Sequence, residues 1–425
     1  MDKKKIINEI NADLKSSLRM FRILQGDVGS GKTIIANIAA INTIESGYQC
    51  GFMAPTSILA EQHFDLIKKF IFKSNLKINV EILTGKTDYK KRKQILTDLE
   101  NKKIDFLIGT HSLFQKTIIF KKLGLIIIDE QHKFGVQQRI RFAKKGGVNC
   151  DILLLSATPI PRTMMMSLYG DMDTSRLEEK PKHRQKILTL SKPENKIDEL
   201  WPFLEKKIKN NEQIFWVCPL IEESKKLDFS STEKIFQLVN KKFPKKVGFI
   251  HGSLNQDEKE KVLKKFLNNE ISILVSTTVI EVGIDFPNAT VIIIENSNKF
   301  GLAQLHQLRG RIGRGDKSGT CILLFKNQLS TNARKRIKIL KNTDDGFYIA
   351  EEDMKLRGYG DIIGFKQSGN KLFKIADPVH HSDLFKLAEQ NIINLSIEEL
   401  NDPKFEFLLK LFDKVDLIDD ERVSS

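Results

Sequence analysis

A chain of 425 residues, 40% of them hydrophobic and 29% charged, can bury two or three domains, which excludes one small domain and a disordered chain. Its net charge of +15 supplies the sequence-independent part of an affinity for nucleic acid, although charge by itself assigns no partner. No apolar run approaches the roughly 18 residues of a membrane-spanning helix, and the basic N-terminus MDKKKIINEI has no apolar stretch behind it, so a cytoplasmic chain is expected. Cys50, Cys150, Cys218 and Cys321 stand singly in apolar segments and read as buried small hydrophobes.

From Phe21 onward, short apolar runs alternate with amphipathic stretches: RILQ, TIIANIAAINTIE, QCGFMAP, SILAEQHFDLIKKF, INVEIL, YKKRKQILTDLEN, FLIGT, LGLIIIDE and DILLLSAT. That alternation is the pattern of βαβ units and predicts a parallel, doubly wound sheet. The charged, proline-containing stretch around Pro181 to Pro193 reads as a linker. The alternation then restarts with ELWPFLEKKIKN, QIFWVCP, TEKIFQLVNKKF, VGFIH, QDEKEKVLKKFLNN, ISILVSTT, TVIIIEN, FGLAQLHQLRGRIG and TCILLF, predicting a second α/β domain. Beyond Asn327 the pattern turns helical in NARKRIKILKN and YIAEEDMKLR; Gly358 suits a helix-ending cap, and GYGDIIGFKQSG reads as a loop.

The stretch Gly26, Asp27, Val28, Gly29, Ser30, Gly31, Lys32, Thr33 fits G-x-x-x-x-G-K-S/T between a predicted strand and a predicted helix. Its glycines let backbone N–H groups curl around phosphates, Lys32 suits the β and γ phosphates of ATP, and the Thr33 hydroxyl suits magnesium; a simple glycine turn is the rival reading. Asp129 and Glu130 end the strand-like LGLIIIDE, at the sheet edge where ligands of open α/β folds bind. Asp129 suits magnesium and Glu130 suits activation of the attacking water, against the plainer role of a solvated strand end. Ser156, Ala157 and Thr158 end the next strand and can bond a carboxylate or cap a turn.

In the second half, QLHQLRGRIGRG sets Arg309, Arg311 and Arg314 at a helix end and glycine-rich turn without acidic neighbours in sequence. Clustered guanidinium groups require anions, either the γ-phosphate or a nucleic-acid backbone. STTVIEVGIDFPNAT offers the hydroxyls of Ser276, Thr277 and Thr278 to a phosphate backbone and Asp285 to a ribose or an arginine; Gly252 and Ser253 close another strand. A nucleotide held between two domains, with phosphates on one and arginines on the other, predicts a motor that closes on ATP and opens on hydrolysis.

The ordered strings GDVGSGKT, APTSILAEQH, TGK, GTHSLF, DEQH, SATPIPRT, HGS, STTVIEVGIDFPNAT and QLHQLRGRIGRG resemble a superfamily-two helicase core. DEQHKFGVQQR and DGFYIAEEDMKLRGYGDIIGFKQSG are most similar to the RecG-like branch-migration helicases. The resemblance implies two tandem RecA-like domains with parallel sheets, at residues 1–185 and 186–330, then a helical extension over 331–425. It implies ATP at Gly26 to Thr33, magnesium and water activation at Asp129 and Glu130, and γ-phosphate contacts at Arg311 and Arg314. It further implies DNA contacts around Pro55, Thr56, Thr84, Gly85, Thr110, His111, Thr277 and Thr278, and a hairpin with Arg357 and Gln367 that couples domain motion to travel along duplex DNA. The expected protein is a monomeric ATP-dependent translocase on forks or Holliday junctions. Its N-terminal wedge domain is expected to be absent or supplied by a separate chain, the family's adenine-reading glutamine would fall near Lys3, where the sequence reads MDKKKII without one, and Tyr359 replaces the usual proline. A transcription-repair-coupling motor and a non-catalytic DNA-binding remnant are the alternatives.

Overall fold

In the computed structural model, the runs FRILQG, LGLIII and DILLLS become the centre of a seven-stranded sheet, because each sends alternate side chains into apolar layers on opposite faces. Ile23, Ile126 and Leu154 pack on one face, and Leu24, Ile127 and Leu155 on the other. The structure describes residues 2–115, 117–130, 150–157, 172–179, 185–219, 225–277, 284–313, 317–326, 329–357, 381–393 and 403.

The first sheet contains β1 (Phe21–Gly26), β2 (Gln49–Met53), β3 (Val80–Leu83), β4 (Phe106–Gly109), β5 (Leu123–Ile128), β6 (Asp151–Ser156) and β7 (Asp173–Leu177) in the order β3-β4-β2-β5-β6-β1-β7. The helices α1 (Asp2–Lys15), α2 (Lys32–Glu45), α3 (Ser57–Lys73) and α4 (Tyr89–Glu100) accompany it. The second sheet contains β8 (Leu188–Pro193), β9 (Gln213–Cys218), β10 (Val247–Ile250), β11 (Ile273–Thr277), β12 (Ala289–Ile294) and β13 (Thr320–Phe325) in the order β10-β11-β9-β12-β13-β8. With it go α5 (Trp201–Lys209), α6 (Lys225–Lys242), α7 (Gln256–Leu267) and α8 (Leu302–Arg309); α9 (Thr331–Asn342), α10 (Gly346–Arg357) and α11 (Ser382–Ile393) follow. Every pairing among the described strands is parallel, as the alternation predicts, and one continuous apolar cluster takes in side chains of both sheets.

Laid over one another, the two strand orders match position for position, with β7 left over. The match extends to buried polar chemistry. Gln49 opens β2 and donates its side-chain amide to the carbonyls of Leu99, at the end of α4, and Ile104; Gln213 opens β9 and donates to Phe266, near the end of α7, and Ile271. Both amides are buried, so each satisfies the helix-end carbonyls that the core would otherwise strand without partners.

Two elements differ from the sequence expectation. The N-terminal segment forms α1, whose Ile6 and Ile10 are buried at helical spacing, and the short strand β7 adds an edge beside β1. Arg22 of β1 ties both down, donating to Asp13 Oδ2 at 2.6 Å and to Ser175 Oγ at 2.9 Å, while Ser175 Oγ donates to Glu9 Oε2 at 2.6 Å. The expected linker is also shorter than its charge suggests. Leu188–Pro193 pairs with β13 as an edge strand, where a proline at the end of the strand breaks no ladder on the solvent side. The helical readings over 331–342 and 346–357 match α9 and α10; Gly358, Tyr359 and the loop through Gln367 lie outside the described residues. Among the described residues no helix is long and apolar enough to cross a membrane, and all four cysteines are buried and unpaired in disulfides.

At the end of β12, Glu295 accepts from Trp216 Nε1 at 2.9 Å, and burial pushes its carboxyl up to about 7. The folded protein therefore keeps this proton where the unfolded chain, near 4.5, has released it, so stability falls as pH rises from about 4.5 to about 7 and levels off above. Glu295→Gln keeps the acceptor for Trp216 without the charge. Urea titrations should find it more stable than the parent by on the order of 2 kcal/mol at pH 8, with no gain at pH 4.

Candidate nucleotide site and nucleic-acid edge

Parallel strands point their carboxyl ends the same way, and in the first sheet those ends carry every predicted site residue of that half. The ends of β5, β6 and β1 carry Asp129 with Glu130, Ser156 with Ala157, and Gly26 to Thr33. The ends of β3, β4 and β2 carry Thr84 with Gly85, Thr110 with His111, and Pro55 with Thr56. One edge is thus divided into two neighbouring halves.

In the phosphate-loop segment, Gly29 has φ of +79° and Gly31 has φ of +101°, left-handed conformations that suit glycine. Gly31 caps α2, and Thr33 is the second residue of that helix, so the first free N–H groups of α2 face the loop. Lys32 is 8% exposed and donates from Nζ to the carbonyls of Gly26 at 2.7 Å and Asp27 at 3.1 Å. Ser30 Oγ is buried without a hydrogen-bond partner, an orphan that an anion in the cradle would satisfy. The loop fits a polyphosphate: left-handed glycines, a folded-back ammonium and an unpartnered hydroxyl.

Opposite the loop, Asp129 Oδ1 accepts from the Glu130 N–H at 3.0 Å, and Oδ2 lies 3.1 Å from His63 Nε2 on α3. Glu130 has φ of +51°. Among the described residues, seven side-chain-bearing positions have positive φ, and five follow a helix end; only Glu130 and its counterpart Asn296 occur at strand ends. A carboxylate in a strained backbone at a sheet edge marks a functional position. Burial, then the neighbouring Asp129, raise the Glu130 carboxyl, while Lys32, Arg311 and an N–H from Ala157 lower it. Arg311 is 2% exposed and comes from the loop after α8, so its charge acts on Glu130 from the second sheet. Arg314 and Thr278 lie outside the described residues, as does Gln367; of Arg357 only the backbone, at the end of α10, is described.

Among the described residues the two sheets also meet at places that the sequence did not disclose. Asp27 Oδ1 lies 2.9 Å from His306 Nε2 on α8, and Gly310 sits so close to Val28 that a Cβ there would be 3.2 Å from the Val28 Cβ. Gln62 of α3 meets the backbone of Asp285, accepting its N–H at 3.2 Å and donating to its carbonyl at 3.4 Å. Lys86 reaches α7, lying 3.2 Å from Asp257 Oδ1 and bonding the buried Glu260. Asp285 is therefore brought to α3 through its backbone. Arg309 differs from its expected role: it donates to the carbonyls of Leu340 and Thr343 and pairs with Asp344 at 3.1 Å, fastening α8 to the end of α9. Its acidic partner was hidden because it lies 35 residues further along the chain.

On the other half of the edge, hydroxyls are engaged locally. Thr56 accepts from Leu59 N–H as the cap of α3, Thr84 accepts from Lys86 N–H, and Ser112 Oγ donates to the Leu83 carbonyl. Gly85 and Gly252, at matching ends of β3 and β10, have open space where a Cβ would stand, which leaves their backbone accessible to a phosphate. The hydroxyls of Ser276 and Thr277 are buried without a hydrogen-bond partner.

This pair of sheets with a phosphate loop, an acidic strand end and a facing arginine has the architecture of a superfamily-two helicase core. Residues 3–167 match the DEAD/DEAH box helicase family, and residues 195–316 match the helicase conserved C-terminal domain. Residues 343–414 match the family described as ATP-dependent DNA helicase RecG, domain 3, C-terminal. The chain is 43% identical to the ATP-dependent DNA helicase RecG of Bacillus subtilis over 99% of its own length and 62% of that protein's. It is 43% identical to that of Thermotoga maritima over 94% and 51%. A solved structure of RecG bound to a three-way DNA junction superposes with a TM-score of 0.77 at 41% identity, covering 90% of this chain and 50% of that one. A Mycobacterium smegmatis helicase Lhr, at 17% identity and a TM-score of 0.57, shares the fold alone. Over the part it spans, the chain belongs to the RecG family, and it spans about half to three-fifths of the length of these relatives.

Lys86 binds two carboxylates of the opposite sheet, one of them buried. Lys86→Glu places a third negative charge there and should open the cleft, read as a larger radius of gyration in small-angle scattering; identical scattering curves would mean that this contact does not hold the sheets together.

Proposed function

We propose that the chain is the motor of an ATP-dependent DNA translocase that acts on branched DNA such as forks and Holliday junctions, in the cytoplasm and as a monomer. The observation that carries this reading is the approach of Arg311, from the second sheet, to the same buried site as Lys32, Asp129 and Glu130 of the first. The relatives are named ATP-dependent DNA helicases, and one of them is bound to a three-way DNA junction, which supports DNA as the track. The proposed units are residues 1–185 with the phosphate loop, 186–330 with the arginines, and 331–425 as the helical extension.

ATP is the substrate. Gly26 to Thr33 surround its phosphates with backbone N–H groups, Lys32 exchanges its loop carbonyls for phosphate oxygens, and Arg311, with Arg314, stabilises the charge that builds on the γ-phosphate. The Thr33 hydroxyl and Asp129, hard oxygen donors, would hold magnesium, which when bound neutralises charge on the phosphates. Glu130 orients and deprotonates the attacking water, held in place by Ala157 N–H and by its own strained backbone. His63 fixes the Asp129 carboxylate. Asp285 remains a candidate for the ribose or for an arginine.

Because Arg311 completes the site only when the sheets are together, binding favours the closed pair and loss of the γ-phosphate favours opening. The loops bearing Pro55, Thr56, Thr84, Gly85, Thr110 and His111 on one sheet, and Thr277 and Thr278 on the other, then grip DNA at changing separations. Arg357 and Gln367, in the extension, pass that motion to the duplex.

The test is DNA-stimulated ATP hydrolysis with strand displacement on a fork. Glu130→Gln should retain nucleotide binding and lower kcat by about 10²–10⁴-fold, and Arg311→Ala should lower it by about 10³-fold. A chain that binds forks without any turnover at saturating ATP and magnesium is a binding module, not a motor. Glu130 acts ionised, and its raised carboxyl takes up a proton at higher pH than an ordinary glutamate. The acid limb of the ATPase profile should accordingly fall above the usual glutamate range; a limb at the ordinary position would remove Glu130 as the base.

A further inference from the structure

Along α9, Ala333, Ile337 and Leu340 are buried at helical spacing, and the next stripe round the helix is Arg334, Lys338 and Lys341, all exposed. These three cations rise about 6 and 4.5 Å from one to the next. They line a groove of about 280 Å³ with Phe325 from the end of β13, Ser191 of β8, Leu329, Ile337 and Asn342. No lining residue is acidic, and among the described residues none of the three cationic side chains has a hydrogen-bond or ion-pair partner. By contrast Arg336, one turn away, donates to the Phe300 carbonyl at 2.6 Å.

Three unpaired cations held along one wall repel one another, and the half-buried Phe325 and Leu329 beneath them keep part of their apolar surface in contact with water. Both costs disappear when an anionic chain with flat apolar groups lies in the groove. A phosphate backbone supplies the charges at repeating intervals, and an unstacked base supplies the flat group for Phe325, with Asn342 and Ser191 available to its polar edge. A duplex would present phosphates but leave the apolar floor empty.

Resting on the reading of the chain as a DNA motor, we propose that the groove between α9 and the β13–β8 edge binds single-stranded DNA, the phosphates on Arg334, Lys338 and Lys341 and one base on Phe325. This contact is separate from the strand-end loops that grip the track. Thr277 ends β11, three strand positions from β13 and four from β8, about 14 to 19 Å away across the sheet. A fork processed by the motor exposes just such a strand beside its duplex arm, and the groove gives that strand a place on the second sheet.

The probe is a fluorescein-labelled oligothymidine. Arg334→Gln with Lys338→Gln should weaken its binding by about tenfold and reduce the slope of log affinity against log salt by about 1.4, the value for two phosphate contacts on a single strand. Phe325→Trp should keep the affinity and give an indole signal, read against the parent protein, that oligothymidine quenches. Unchanged affinity and slope in the double variant, or an introduced indole quenched by a polyglutamate peptide and not by oligothymidine, overturns the proposal. Fork-stimulated ATP hydrolysis in the same proteins separates the two readings: if it is present while the groove variants bind normally, only the groove is wrong; if it is absent while the indole is quenched, only the motor is.

Discussion

Two carboxylates and two cations, Asp129, Glu130, Lys32 and Arg311, are each less than one-tenth exposed and come from both sheets. Ions removed from water are costly unless opposite charges accompany them, and here the balance is reached only when the second sheet contributes its guanidinium. The closed arrangement and the chemistry of the site are therefore one requirement. Separated, Lys32 and the acidic pair would leave the first sheet with an excess of buried negative charge, and Arg311 would need water or another anion.

Around that centre, one apolar cluster takes in side chains of both sheets, and polar contacts also cross the cleft. Asp27 with His306, Gln62 with the Asp285 backbone, and Lys86 with Asp257 and Glu260 span the cleft at different points. Each of these polar contacts can be replaced by water at modest cost. Arg309 behaves differently. It is buried and bonded to the end of α9, so α8 and the helical extension move with one another.

Much of this was legible in the sequence, because parallel sheets write strongly apolar runs and phosphate loops leave a fixed spacing. The order GDVGSGKT, IIIDE, SAT and RGRIG disclosed two parallel sheets with a phosphate loop and an acidic strand end on the first. What stayed hidden was of two kinds. Helix α1 is largely polar, burying only Ile6 and Ile10, and β7 is a short half-polar edge strand; both are tied down by the Arg22 network. The partners of His63, His306, Lys86 and Arg309 lie tens to hundreds of residues away, and only folding decides which candidate ion or amide each one meets. Two of the threonines expected on DNA illustrate the reverse: their motif positions were readable, but the hydroxyls of Thr56 and Thr84 serve a cap and a turn, while the backbone at Gly85 and Gly252 has open space beside it.

The duplicated glutamines have a mechanical consequence. Gln49 and Gln213 each satisfy helix-end carbonyls within their own sheet, with no contribution from the other sheet to those bonds. In the proposed motor, such bonding would favour stiffness within each half. A force generated by a change of one phosphate would then be delivered as a displacement between the two halves and not dissipated by deforming either.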